Sequence, residues 1–535
     1  MAPITSPEPD VVVPDVDLPT FLLDGAAAHG DRPAYVDGPS GRTVTYSTIG
    51  PTARRFAGGL AARGFRPGDV LAVLAPNVPE WPVAMLGTQL AGGAVTPINP
   101  LWTAHEIAHQ IRDAGARWVL TVPPFLDKAR AAAPGAEVVV LGDGAPVPDG
   151  AVAFGRLVAG PEIGRITIAP ADVAMLPYSS GTTGLPKGVR LTHHNLVANV
   201  CQAQAVLPMT AGDVMVGVLP FFHAAGFCSS ICLTLRSGAT VVTLPRFDLE
   251  ACLQLVEAHR ATVLPAAPPV VLGLARHPAV DRYDLSSLEF VVCGSAPLPA
   301  ELEVGCTARL GRPVLQVYAL TETSPIVSIC RRDGRGHTPG GAGTLVPNTE
   351  VRLVDPTTGS DVAPGSRGEI CVRGPQVMAG YLDDPDATAA AVDADGWLRT
   401  GDLGSVTEDG EVFVVDRIKE LIKVSGFQVS PAELEAVLGA HPAVADVAVV
   451  GRADPGTGER PVAHVVARGD LDPEAVIAWA AARTAGYKRL AGVEVVDAIP
   501  RSPAGKILRR ELRVRDSAST SSRPDDRSAT PTGRR

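Results

Sequence analysis

Unbroken apolar runs bounded by polar, Gly or Pro positions recur along most of the chain, alternating with stretches in which apolar residues return every three or four positions. Val70–Leu74, Ala94–Ile98 and Trp118–Val122 are such runs; continuous apolar character predicts strands covered on both faces, as in a parallel sheet. Between them, residues 103–114 carry a helical period, with Thr103 placed to cap the N-terminus and Ala114-Gly115 to end it. The alternation predicts a layered α/β architecture with largely parallel sheets. A smaller unit is expected to begin near Asp416. There a strand precedes Ser430-Pro-Ala-Glu433, which reads as a capping box with Pro at the first helical position, and the helix runs to Ala440. Strands around Val444–Val450 and Val462–Val466 follow, then a helix near Pro473–Arg483. The expected division is residues 1–416, residues 417–515, and a tail over 516–535 rich in Ser, Thr, Pro and charge, which predicts disorder. No internal repeat is present.

Length fits this division, since 535 residues exceed what one core usually serves. No apolar run reaches the roughly 18 residues of a membrane span, and the acidic segment Ser6-Pro-Glu-Pro-Asp10 is unlike a secretory signal. A cytoplasmic protein without stable membrane insertion is the expectation. A formal charge of −10 argues against a nucleic-acid-coating surface. The cysteines, Cys201, Cys228, Cys232, Cys252, Cys293, Cys306, Cys330 and Cys371, lie mostly in apolar runs without a C-x-x-C pair. Buried free thiols in a reducing compartment are expected rather than disulfides or zinc ligands.

The densest candidate chemistry is Tyr178-Ser-Ser-Gly-Thr-Thr-Gly-Leu-Pro-Lys-Gly188. Glycines let backbone N–H groups approach an anion, hydroxyls add donors, and one lysine supplies a compact positive charge, as a polyphosphate requires. The run is not a Walker P-loop: Pro186 stands where that motif needs Gly, and Gly188 where it needs Ser or Thr. An apolar strand enters over 173–178, a short strand leaves over 189–191, and a helix opens only at Thr192. The loop therefore reads as a strand-to-strand lid.

One competing motif is His105-Glu-Ile-Ala-His109, the spacing that sets two imidazoles on one helical face for zinc. The residues after His109 lack the extended H-x-x-G-x-x-H form, and no carboxylate ligand is obvious on a following helix, so an ordinary amphipathic helix is expected. No G-x-S-x-G occurs to supply a nucleophile elbow.

Further motifs follow the glycine-rich loop: Leu219-Pro-Phe-Phe-His-Ala-Ala-Gly226, Cys293-Gly-Ser-Ala-Pro-Leu298, Gln316-Val-Tyr-Ala-Leu-Thr-Glu322, Gly396-Trp-Leu-Arg-Thr-Gly-Asp402, Val415-Asp-Arg-Ile-Lys-Glu-Leu-Ile-Lys423, Gly426-Phe-Gln-Val-Ser-Pro-Ala-Glu433 and Pro500-Arg-Ser-Pro-Ala-Gly-Lys506. In content and order the set resembles the adenylate-forming superfamily, from about Thr20 to Leu512. Ala267-Pro-Pro-Val-Val-Leu-Gly-Leu-Ala275 and the block from Asp416 to Glu433 look most like the 4-coumarate:CoA ligase branch. The resemblance implies a large N-terminal α/β domain with a small, mobile α+β C-terminal domain, and an enzyme that makes an acyl-adenylate and then a CoA thioester. ATP, Mg2+ and coenzyme A are the implied cofactors.

By the same resemblance, Ser179, Ser180, Gly181, Thr182, Thr183 and Lys187 hold phosphates, and Glu322 with Thr321 holds magnesium. Tyr318 stacks on adenine opposite Gly294, Ser295 and Ala296, Gln316 belongs to the nucleotide site, and Asp402 and Arg417 approach the ribose. His223, Ala225, Ser229, Gly294 and Ala319 would line the acyl pocket. Lys506 would bridge carboxylate and α-phosphate during adenylation, whereas Lys423, Gly426 and Gln428 would serve thioester formation after rotation about Lys419. Three departures stand out. Val317 and Ala319 replace the glycines of the usual Q-G-Y-G motif, which narrows the pocket from that side; Ser425 replaces a lysine usual in the plant enzymes; and the residues after His223 are unusually small. An aryl-propenoic or a medium-chain acid fits equally. A carrier protein in place of CoA, a homodimer, and a silent nucleotide-binding relative stay open as alternatives.

Overall fold

The computed structural model describes residues 2–142, 147–164, 166–179, 186–425 and 427–513. The chain divides into two compact units between Val414 and Val415.

Among the described residues, three large sheets and one two-stranded hairpin build the first unit. In one, the strands run in the order Leu191–Thr192, Val173–Met175, Ala94–Pro97, Val70–Leu74, Trp118–Thr121, Glu137–Val140 and Ala151–Ala153. All pair in parallel except the Leu191–Thr192 edge. Every residue of Val70–Leu74 and Trp118–Thr121 is buried, the coverage that continuous apolar runs require. The second sheet has the parallel centre Val314–Ala319, Phe290–Cys293, Val263–Ala266, Val214–Gly217, Thr240–Thr243 and Pro33–Asp37. Antiparallel strands flank it, Ile326–Ile329 on one side and Thr43–Thr45 on the other.

The third sheet departs from the parallel expectation. Glu350–Val354, Gly368–Arg373 and Leu398–Val406 pair antiparallel, and a tight turn over residues 407–411 leads to Val412–Arg417. Such a connection is too short for the crossover that parallel pairing needs.

The helix Ala104–Asp113 is capped by Thr103, whose Oγ1 accepts from the Glu106 amide while Glu106 Oε2 accepts from the Thr103 amide at 2.8 Å. Glu106 is thus engaged as the reciprocal half of a capping box. Among the described residues no group of His, Cys, Asp and Glu is arranged to hold a metal ion, and no helix is long and apolar enough to cross a membrane. All eight cysteines are free thiols, and all but the half-buried Cys201 are buried.

The second unit is a five-stranded sheet in the order Phe427–Val429, Ile422–Val424, Gly458–Ala467, Val444–Asp454, with Gly492–Val495 added parallel to Gly458–Ala467. The helices Pro431–Gly439 and Pro473–Ala481 cover it around Leu434, Leu438, Val449, Val465 and Val476. Ser430 caps the first helix by accepting from the Glu433 amide at 3.3 Å, but the predicted capping box is only half made. The Glu433 carboxylate instead takes Lys488, and the Ser430 hydroxyl donates to Asp416 Oδ2 at 2.9 Å.

Candidate active site

The two ends of the glycine-rich run lie side by side. Tyr178–Ser179 pairs antiparallel with Lys187–Gly188, and the next helix, His193–Val206, begins after Thr192, which caps it. Ser180, Gly181, Thr182 and Thr183 lie outside the described residues. The two stems of this hairpin are held by acidic groups. Tyr178 Oη donates to Asp113 Oδ2 at 2.5 Å; burial first, then this carboxylate, pushes the phenol far above its ordinary range. Ser179 Oγ donates to Glu322 Oε1 at 2.8 Å, and Tyr381 Oη donates to the same oxygen at 3.2 Å. Lys187 Nζ reaches Asp384 Oδ2 at 2.9 Å and lies 5.5 Å from the centre of the Tyr381 ring. The Ala387 amide and Lys187 together hold the Asp384 carboxyl below the usual range.

Ser179, Lys187 and Glu322 are therefore gathered in one place, and Tyr381 and Asp384, which sequence reasoning missed, connect them. Glu322 sits in the single turn Thr321–Thr323, which Thr323 Oγ1 fastens to the carbonyls of Leu320 and Pro325. The half-buried Thr321 adjoins it.

Tyr318 ends on the buried side of Val314–Ala319, at a register shift between Tyr318 and Ala319. Its hydroxyl donates to Asp402 Oδ2 at 2.7 Å. Asp402 is 3% exposed, and its amide is received by Thr400 Oγ1 at 3.0 Å. Beside them, the Gly294–Ala296 segment leaves the strand Phe290–Cys293. Ser295 has a left-handed backbone with φ 75°, and its Oγ is buried without a hydrogen-bond partner among the described residues. A Cβ on Gly294 would sit 2.7 Å from Val317 Cγ1, so the valine that replaces the usual glycine packs directly on this segment and excludes any side chain there. Gln316 does not join Tyr318. It points to Leu298 and to Glu303 Oε2, at 2.6 Å.

On the acyl side, His223 caps the short helix Ala224–Phe227, with Nδ1 accepting from the Ala225 amide at 3.4 Å. Ser229 Oγ donates to the Ala225 carbonyl at 2.8 Å. A Cβ on Gly226 would lie 2.1 Å from the Pro220 carbonyl; only glycine permits this close turn. Asn77 is a second group without a sequence signal. Buried, it donates to the carbonyls of Gly217 and Leu219 at 2.9 Å and accepts from the Phe221 amide at 2.8 Å, which fixes the approach to His223.

In the second unit, Lys423 and Gln428 are exposed and directly paired across Ile422–Val424 and Phe427–Val429. Between them Ser425 has φ 48°, and Gly426 lies outside the described residues. Arg417 and Lys419 flank the start of the turn Ile418–Glu420. Lys506 belongs to a separate tight turn: its amide donates to Ser502 Oγ at 3.2 Å, and its carbonyl accepts from the Ser502 amide at 2.8 Å. Arg501 braces that turn by donating to the Gly505 carbonyl at 3.0 Å and to Asp446 at 2.8 Å. Arg509 then makes a two-pronged pair with Glu435 at 2.7 and 2.8 Å and donates to the Val449 carbonyl. The Lys506 turn is thus tied to Val444–Asp454, and Gly458–Ala467 separates that strand from the one bearing Lys423.

Ser179 and Lys187 at the two ends of the glycine-rich run, the Glu322 carboxylate beside them and the buried Tyr318–Asp402 pair are the polar groups that the candidate site offers. Residues 22–382 match the AMP-binding enzyme family and residues 433–506 match the AMP-binding enzyme C-terminal domain; the chain belongs to this family and is an AMP-forming acid–thiol ligase. It is 44% identical to 4-coumarate–CoA ligase 5 of Oryza sativa subsp. japonica over 522 residues, 95% of this chain and 96% of the relative. It is 40% identical to 4-coumarate–CoA ligase 1 of Petroselinum crispum over 522 residues, 95% of each. Among solved structures, ATP-bound MatB from Rhodopseudomonas palustris superposes with a TM-score of 0.84 at 32% identity, covering 94% of this chain and 99% of that one. The anthranilate CoA ligase AuaEII in complex with anthranoyl-AMP gives 0.87 at 26%, covering 96% and 99%.

Proposed function

We propose that this protein activates an aromatic propenoic acid of the 4-coumarate type and transfers it to coenzyme A. The observation that carries this reading is end-to-end identity of 40–44% to plant 4-coumarate–CoA ligases. The small residues Ala225 and Ser229 in the turn that follows His223 suit a flat, bulky acyl group.

In the first step, a carboxylate oxygen of the acid attacks the α-phosphorus of ATP, and the bond to the β-phosphate breaks to release pyrophosphate. No covalent enzyme nucleophile is required; the site must hold two anions together and offset the developing charge. Ser179, Lys187 and the glycine-rich run supply donors to the phosphates. Tyr318 and the Gly294–Ala296 segment bound the adenine, where the orphaned Ser295 Oγ suits a hydrogen-bonding base edge, and Asp402 receives ribose hydroxyls. Glu322, with Thr321, offers the oxygen donors that Mg2+ favours, and with one carboxylate at hand most of its coordination would come from the phosphates and water. In the second step, the CoA sulfur attacks the acyl carbon and AMP leaves. Lys506 serves adenylation, and Lys423 with Gln428 and the Gly426 segment serves thioester formation, Lys419 being the hinge that exchanges them.

The test is a pyrophosphate-release screen across benzoic, cinnamic and C4 to C16 acids, with and without CoA. Cinnamic acids are expected to give the highest kcat/KM and a CoA thioester as product. Preference for aliphatic acids would reject the substrate assignment, and turnover only with a phosphopantetheinylated carrier would reject CoA as acceptor.

A further inference from the structure

Behind the adenine side of the site lies a buried chain of polar groups that the chemistry does not use directly. Glu303, on the helix Ala300–Leu310, is 3% exposed. Its Oε2 accepts from Gln316 Nε2 at 2.6 Å and from the Gly340 amide at 2.9 Å, and its Oε1 receives His337 Nε2 at 2.5 Å. The other ring nitrogen of His337 faces Cys330 Sγ at 3.3 Å and Glu411 Oε1 at 3.6 Å. Glu411 in turn accepts from the Thr338 amide and hydroxyl at 2.7 and 2.9 Å. Burial alone would lower the pKa of this imidazole, but Cys330 and Glu303 override it and raise it to about 10, so the ring is a cation at neutral pH.

A buried carboxylate is expensive, and an apolar replacement often serves stability as well or better. The geometry gives this one a particular task. A primary amide can be turned either way round, and a carboxylate accepts but cannot donate. Glu303 therefore compels Gln316 to present its NH2 group inward, which leaves Oε1 to accept from the Leu298 amide, 3.3 Å away. Leu298 closes the segment that starts at Gly294 and contains the left-handed Ser295. A non-glycine residue in that region is strained and persists only where its surroundings over-determine it. We infer that Glu303, held by His337, is a positioning residue for nucleotide binding: it orients the Gln316 amide so that the Gly294–Leu298 segment keeps the shape that bounds the adenine.

This inference rests on the nucleotide reading of the site, and the experiment separates the two. ATP binding to the full-length protein is measured by calorimetry, together with KM for ATP and for CoA. Failure of the unaltered protein to bind ATP would overturn the nucleotide reading itself. If it binds, Glu303→Gln and Gln316→Glu are each expected to weaken ATP binding about tenfold, the scale of a lost buried hydrogen bond to a charged partner, with KM for CoA unchanged. The exchanged pair Glu303→Gln/Gln316→Glu again offers a donor at 303 and an acceptor to Leu298, and, although the amide at 303 cannot serve both Gly340 and His337, is expected to bind ATP more tightly than either single variant. His337→Gln, which leaves both Glu303 and Gln316 in place, provides a milder disturbance and is expected to weaken ATP in the same direction. Single variants that fold and bind ATP normally, a double variant no better than the singles, or a parallel rise in KM for ATP and CoA would each overturn the positioning role.

Discussion

Tyr318 and Asp402 are joined by a hydrogen bond of 2.7 Å although they come from different sheets. The bond makes the proposed adenine wall and the proposed ribose acceptor one unit, so removing the hydroxyl should disturb the carboxylate without removing the ring. Tyr318→Phe is expected to raise KM for ATP about five- to tenfold, the scale of one hydrogen bond to a charged group, with kcat little changed. Asp402→Asn should cost more, because it also weakens acceptance of the ribose. Steady-state kinetics with ATP varied at saturating acid and CoA checks both.

Lys187 donates to Asp384 across a long stretch of chain, and both side chains are about one-third exposed. A phosphate that recruits Lys187 must compete with that carboxylate. Because solvent screening keeps such exposed pairs weak, Asp384→Asn should lower KM for ATP by at most about fivefold. The amide retains an oxygen to cap the helix Pro385–Ala391. Lys187→Met should instead raise KM sharply, and opposite signs in one kinetic series distinguish a competitor from a phosphate ligand.

These two relationships also mark what the sequence could carry. Ser179, Lys187, Glu322, Tyr318 and Asp402 stand in recognisable local patterns. Local signals also gave the cap at Thr103, a helix opening at Thr192 and the Val70–Leu74 strand, because the physics that fixes them acts within a few residues. Tyr381, Asp384, Asn77 and Glu303 lie in no such pattern; each matters through a partner more than a dozen residues away, and only the folded chain brings the partners together. The half-made capping box at Ser430 has the same origin. Lys488, from a later segment, claims the Glu433 carboxylate that a local reading assigns to the helix terminus. The antiparallel third sheet was hidden because its strands share no one pattern: Gly368–Arg373 is buried along nearly its whole length without alternation, Leu398–Val406 carries Thr, Gly, Asp and Ser within the strand, and the alternation of Glu350–Val354 is only five residues long.

Glu106 has two possible meanings in sequence, and the capping box around Thr103 selects one. Thr103→Ala and Glu106→Ala are each expected to lower stability by about 1 kcal/mol while leaving ligase activity intact. His105→Ala should alter neither activity nor metal content. Thermal unfolding, activity and elemental analysis of the purified variants supply the check; stoichiometric zinc lost with His105 would favour the metal-site alternative.

His193 is buried, and its Nδ1 accepts from the Leu18 amide at 3.1 Å. Burial lowers its pKa to about 4, against the opposing pull of Asp17 and Asp172. The unfolded chain therefore binds this proton more readily than the folded one, and stability should fall as pH drops from about 6.5 towards 4, by up to about 1.4 kcal/mol per pH unit. In His193→Asn, whose side-chain oxygen can still accept from Leu18, the melting temperature at neutral pH should drop modestly and its dependence on pH across that window should flatten. Melting curves of both proteins from pH 4 to 8 measure the difference.

Lys506 and Lys423 sit in separate parts of the second unit, one in a turn braced by Arg501 and Arg509, the other exposed beside Gln428 on a two-stranded edge. A braced lysine suits a fixed charge at a transition state, whereas an exposed one suits a ligand that arrives from solvent. Lys506→Ala is therefore expected to slow adenylation by about a hundredfold or more, the scale of removing one preorganised donor, and to leave thioester formation from supplied acyl-adenylate nearly normal. Lys423→Ala should show the reverse bias. Lys419→Pro, which stiffens the proposed hinge, should permit adenylation and slow transfer to CoA. Arg501→Ala adds an internal control: by loosening the turn without touching the Lys506 charge, it should reproduce part of the adenylation defect and none of the transfer defect. Pyrophosphate exchange and thioester formation from purified acyl-adenylate measure the two steps independently. Equal damage to both by Lys506→Ala would mean that one arrangement of the second unit serves the whole reaction, and the division of labour between the two lysines would have to be abandoned.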